Sequence, residues 1–277
     1  VDELVAGPEG VIELGEGNPY GMLTVNRITP QDDVQVPVPL RLGVSGTTTS
    51  ASSTIAAGFS LSVPELWVGF GRSARLAVES TAGLEVAGGI VLGSGNGLAG
   101  TLDSVGTVAS AELGVGHLGP GYLNLSGGTA TVGELRIGEN ALGTVTLEGT
   151  CRLSATEEVL GKDSTGLFEQ FGGIHDVTLL KMAESAGSSA EYSIDSGVLR
   201  ADELQVGLAG NAGFRQLGGA VRVVGTLTVG HGTGGGTYAL SAGSLEAGLL
   251  RIGSATAATG NFRWDGGSLN VGSIELL

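Results

Sequence analysis

Residues 204–230 read LQVGLAGNAGFRQLGGAVRVVGTLTVG: a short aliphatic phrase closed by glycine at Gly207, and the same phrase again at Gly230. The pattern aliphatic-x-aliphatic-Gly runs along the chain as LWVG (Gly69), IVLG (Gly93), LGVG (Gly116), LRIG (Gly138), EVLG (Gly161), LKMA (Ala183), LQVG (Gly207), LTVG (Gly230), LRIG (Gly253) and IELL (Leu277). Successive intervals are 24, 23, 22, 23, 22, 24, 23, 23 and 24 residues, and earlier copies stand at IELG (Gly15) and LRLG (Gly43). A period of this size with no helical pattern inside it marks a solenoid in which one repeat is one coil.

Within ELRIGENALGTVTLEGTCRL (134–153) apolar and polar residues alternate in short runs separated by glycine corners. Alternation places one face of each run inward, and glycine reaches the backbone angles that tight corners need. The chain therefore reads as all-β: a single-chain parallel β-helix of about 23 residues per coil and eleven to twelve coils. Its regular body is expected over 60–277. Residues 1–59, with Pro30, Pro37, Pro39 and a Ser/Thr run, read as irregular coils, a lateral loop or a cap, because proline cannot donate to a sheet ladder.

Stacked coils turn sequence positions into files. The inward file of the first strand is aliphatic, as in Leu113/Val115, Leu135/Ile137, Leu204/Val206 and Leu227/Val229; Glu158 is its one discord and reads as a local register shift. A second file holds Phe168, Tyr192, Phe214, Tyr238 and Phe262. Strands ~4.8 Å apart would stack these rings, and outward neighbours such as Glu169 and Arg215 make the file an internal packing ladder rather than a sugar platform. Gln170 and Gln216, two positions on, read as partners for corner backbone groups.

Composition excludes several functions. With 28 acidic against 13 basic residues the formal charge is −15, which repels nucleic acid and anionic membranes. No apolar run approaches the ~20 residues of a membrane span. Cys151 is the only cysteine. Glycine runs such as HGTGGG (231–236) lack a following GK[ST] and are turns. His117 and His231 lie five coils apart, too far to share a metal, and His175 falls inward. No catalytic, metal or cofactor residue is assigned, and no cofactor is expected; a polysaccharide-degrading enzyme on the same fold would need paired carboxylates in a cleft walled by long loops.

The unit GYLNLSGGTATVGELRIGENALGTVTLEG (121–149) resembles the glycine-rich β-solenoid repeats of bacterial surface and secreted proteins, including autotransporter-associated β-strand repeats. The resemblance covers about residues 60–277, with an echo at 11–26. It implies export to the bacterial surface or exterior, a right-handed helix, and roles in adhesion, surface layers or fibres. The final phrase adds an expectation: Ser273, Ile274, Glu275, Leu276 and Leu277 form an open assembly edge for head-to-tail or strand-exchange contact with a second copy of the chain. An adhesin that binds surface glycans is the alternative.

Overall fold

The structure, a computed structural model, describes residues 3–6, 22–25, 27–30, 32–43, 50–253 and 258–277. Among them all regular structure is β. Each coil contributes one long and one short strand. The long strands stack into one parallel sheet whose main path runs from Leu23–Val25 to Ser268–Leu276, and the short ones into a ten-stranded sheet from Ala51–Ile55 to Thr259–Trp264. The chain is a parallel β-solenoid of about ten turns, spaced about 23 residues apart. The eleven-to-twelve estimate counted IELG at 12–15, which lies outside the described residues.

Burial follows the alternation, with one informative break. In Thr129–Ile137 the side chains of Ala130 and Val132 point in, Gly133 and Glu134 both stay outside, and Leu135 and Ile137 point in again. Two outward residues in succession turn the strand around a corner, so each long strand lines two walls of the tube and the short strand lines the third. The same corner absorbs the one-residue variation in repeat length, as register shifts between Val86 and Gly89 and between Val223 and Thr226.

The anchor glycines have φ between 70° (Gly138) and 86° (Gly253). A side chain is excluded there twice: by the left-handed backbone, and because a Cβ on Gly116 would press into the carbonyl oxygens of Ala141 and Leu142 in the next coil. Ala183 takes the same conformation with φ 56°. Facing the anchors is a file of small residues, Gly121, Gly143, Gly166, Ala190, Ala212 and Gly236, in unbroken register.

The amino-terminal part is woven into the same sheets. Leu40–Leu42 pairs with Leu66–Val68 and Ala51–Ile55 with Ala74–Val78. Pro39 is accommodated because only its carbonyl is used, accepting from Leu23 N–H at 2.9 Å. Arg27–Pro30 stands apart, pairing with Glu3–Ala6 in a two-stranded sheet.

Candidate functional site

The aromatic file forms as the alternation requires. Phe168, Tyr192, Phe214, Tyr238 and Phe262 occupy one register position on five successive short strands. Ring centroids are 4.4, 4.8, 4.6 and 5.4 Å apart, and the first four rings are fully buried. In earlier coils the same position holds Leu102, Leu123 and Val145. Stacking adds ~0.5–1.5 kcal/mol per pair beyond area burial.

Two coils form a unit within this file. A Phe coil carries glutamine two positions on (Phe168/Gln170, Phe214/Gln216), and the next coil carries tyrosine with an aliphatic residue (Tyr192/Ile194, Tyr238/Leu240). Each tyrosine hydroxyl donates one coil back, Tyr192 to Gln170 Oε1 at 2.8 Å and Tyr238 to Gln216 Oε1 at 2.7 Å. Gln170 Nε2 donates to the carbonyl of Val198 and Gln216 Nε2 to that of Ser244, at 3.2 and 2.9 Å. The glutamines serve corner carbonyls and also make a buried phenol tolerable. Burial pushes both phenols well above their ordinary pKa; the field of Glu158 adds to the rise at Tyr192.

Glu158 corrects the expected register shift. It stands in register between Leu135 and Leu180, with no break along Glu157–Leu160, and is fully buried. Its Oε2 lies 2.9 Å from His175 Nε2, also fully buried. The approach is off-axis for a hydrogen bond, and neither carboxyl oxygen has another hydrogen-bond partner. His175 stacks on Phe168 at 4.8 Å, and its Nδ1 is 2.9 Å from Tyr192 Oη. Because the Tyr192 proton is given to Gln170, His175 Nδ1 must carry a proton and donate it to the phenol oxygen. Glu158 and His175 both deviate from their inward files one coil apart; reading the two exceptions together was the signal available in the sequence.

On the outer surface most charges are consumed locally. Arg136 meets Glu112, Glu134 (3.2 Å) and Glu139 (3.6 Å); burial opposes its charge, but these carboxylates together hold its pKa above the ordinary value. Glu139 also takes His117 Nδ1 at 2.7 Å and Lys162 at 3.6 Å. Lys181 lies 2.6 Å from Glu157, whose hydrogen bond raises its pKa. Arg41 caps the Phe70 ring at 3.9 Å. Among the described residues no cluster of His, Cys, Asp and Glu is suited to a metal, and no helix is long and apolar enough to cross a membrane.

One face differs. Between two outward files of the long strands runs a shallow trough of about 420 Å³. One side is Thr131, Ser154, Asp176, Arg200 and Arg222; the other is Thr156, Thr178, Asp202 and Val224. Asp176 is held by Arg152 at 2.7 Å and Arg200 at 3.4 Å, and Arg222 lies 3.7 Å from Glu246.

The residues of the expected assembly edge lie on the last rung of the long-strand sheet. Ile274, Leu276 and Leu277 are 57, 74 and 60 % exposed, beside Trp264 at 57 %. Glu275 is bound to Arg251 at 2.8 Å, and Ser273 pairs in register with Leu249. No protein-family model matches the chain, and no curated protein or solved structure matches it.

Proposed function

We propose that the chain is a non-enzymatic structural β-solenoid of the bacterial surface or exterior, contributing a rigid rod to a fibre or surface layer. The observation that carries this reading is the uninterrupted tube: from Gly83 to Ile252 the links between strands are only two to seven residues long. Short links supply no long loops of the kind that wall a cleft, and the Glu158–His175 pair is sealed from solvent, both of which support a structural reading. The resemblance of the repeats to surface and secreted solenoids supports the location.

Assembly in this reading is coil on coil. The rung Ser268–Leu276 offers apolar side chains and strand-edge groups on which a further coil stacks, whether from the same polypeptide or from a second copy. Electron microscopy and sedimentation of the chain, with an Ile274→Glu/Leu276→Glu variant beside it, test the second case. Concentration-dependent filaments that vanish in the variant are expected. A monomer at every concentration would refute self-assembly.

A further inference from the structure

We propose that a shallow groove on the short-strand face, around Gly213 and Gly235, binds a neutral β-linked polysaccharide lying along the tube axis. Both glycines lack a structural duty. Glycine in a strand gives up packing and costs conformational entropy, and it is kept where the chain bulges, bends, is approached closely by other backbone or receives a ligand. At Gly213 and Gly235 the register through neighbouring rungs is unbroken, the backbone is not left-handed, and a Cβ would meet side-chain atoms alone. Gly236, by contrast, is fixed by packing, because a Cβ there would press on the backbone of Gly230 and Val206. Of the reasons for a strand glycine, the approach of a ligand is the one left at 213 and 235.

Oxygen atoms border the space above these glycines. A Cβ on Gly235 would stand 2.9 Å from Asn211 Oδ1 and 3.5 Å from Thr259 Oγ1, and one on Gly213 would stand 3.9 Å from Glu191 Oε1. With Thr237 and Asn261 they line one groove of about 530 Å³. Among the described residues none of these five side chains makes a hydrogen bond or ion pair within the chain. No basic residue lines the groove, and its alanines, Ala190 and Ala212, are buried. A lone carboxylate repels an acidic chain, and a floor without exposed apolar side chains offers nothing to a hydrophobic segment. Sugar hydroxyls suit it: a vicinal pair donates to a carboxylate or amide oxygen and accepts from an amide N–H.

Spacing separates a glycan from a peptide. Rungs recur every ~4.8 Å, close to the rise of one residue in a flat β-linked hexose chain, whereas side chains on one face of an extended peptide recur every ~6.6 Å. A ribbon of sugar rings parallel to the axis therefore meets one polar set per coil, from the rung of Ser189 to that of Thr259. This binding needs only the rigid tube and is independent of self-assembly.

The test is calorimetric titration at physiological salt with cellohexaose, a galacturonate hexamer and a hexaserine peptide. The proteins are the wild-type chain, Gly213→Val/Gly235→Val, Asn211→Ala/Asn261→Ala and a control, Thr144→Val, in the same outward file as Glu191 but outside the groove. The valines fill the groove without removing a polar group, and thermal melts verify that all four proteins fold. Saturable binding of cellohexaose is expected, weakened by about tenfold or more in both double variants and unchanged in the control. Absence of binding to the wild type, equal binding of the acidic hexamer or the peptide, or undiminished binding by the valine variant would each overturn the assignment.

Discussion

His175 Nε2 lies 2.9 Å from Glu158 Oε2, with both side chains sealed from solvent inside the tube. The two substitutions that break this contact are not equivalent. Glu158→Leu restores the leucine file and leaves one imidazole nitrogen unpaired, costing about 1–3 kcal/mol. His175→Leu strands the carboxyl and costs about 3–5 kcal/mol. The double variant should match or exceed the wild type, by up to about 4 kcal/mol. Urea midpoints of the four proteins measure this, and additive losses would show that the pair is not coupled.

Alkaline pH should loosen the tube. Tyr192 and Tyr238 have folded-state pKa values well above that of an exposed phenol near ~10. The stability tied to keeping them neutral is complete below ~10 and is lost as pH rises above it, because the unfolded chain then releases protons that the folded one retains. Absorbance at tyrosinate wavelengths should show these two phenols ionising only as circular dichroism reports unfolding. In Tyr192→Phe/Tyr238→Phe the alkaline slope should flatten, at a neutral-pH cost of about 1–2 kcal/mol per lost buried hydrogen bond.

The anchor turns give a third expectation. Gly138→Ala would place a Cβ on a left-handed backbone and against Thr165, costing more than about 1–2 kcal/mol. Ala183→Gly should act oppositely, relieving the same strain for a net gain below about 1 kcal/mol once the freedom of glycine in the unfolded chain is counted. Thermal midpoints should move in opposite directions.

Cys151 is buried, and burial raises the pKa of its thiol. A disulfide reagent should modify it slowly in buffer and rapidly in denaturant. Fast labelling of the native chain would show that this coil opens readily.

The period, the inward files and the ring stack were legible because each depends on sequence spacing alone: a left-handed turn every 23 residues or so fixes which side chains share a file. Glu158 and His175 were not, since alternation says which residues point inward but not which wall faces which across the tube. Their contact depends on the corner in the long strand, where Gly133 and Glu134 both face out. The trough is marked by no repeated residue type along the sequence, because it lies between two outward files of mixed residues. At Pro39 the ladder asks only for a carbonyl, which a proline supplies as well as any residue.

Strand contacts in this architecture are concentrated between one coil and the next. Under tension applied at its ends such a rod should peel in a sawtooth of equal steps, each releasing roughly 75 Å of slack for a coil of about 23 residues. The tallest tooth belongs where rings and a buried acid–base pair lock adjoining coils, so a tether of this design would yield from its aliphatic stretch first and hold at its aromatic half.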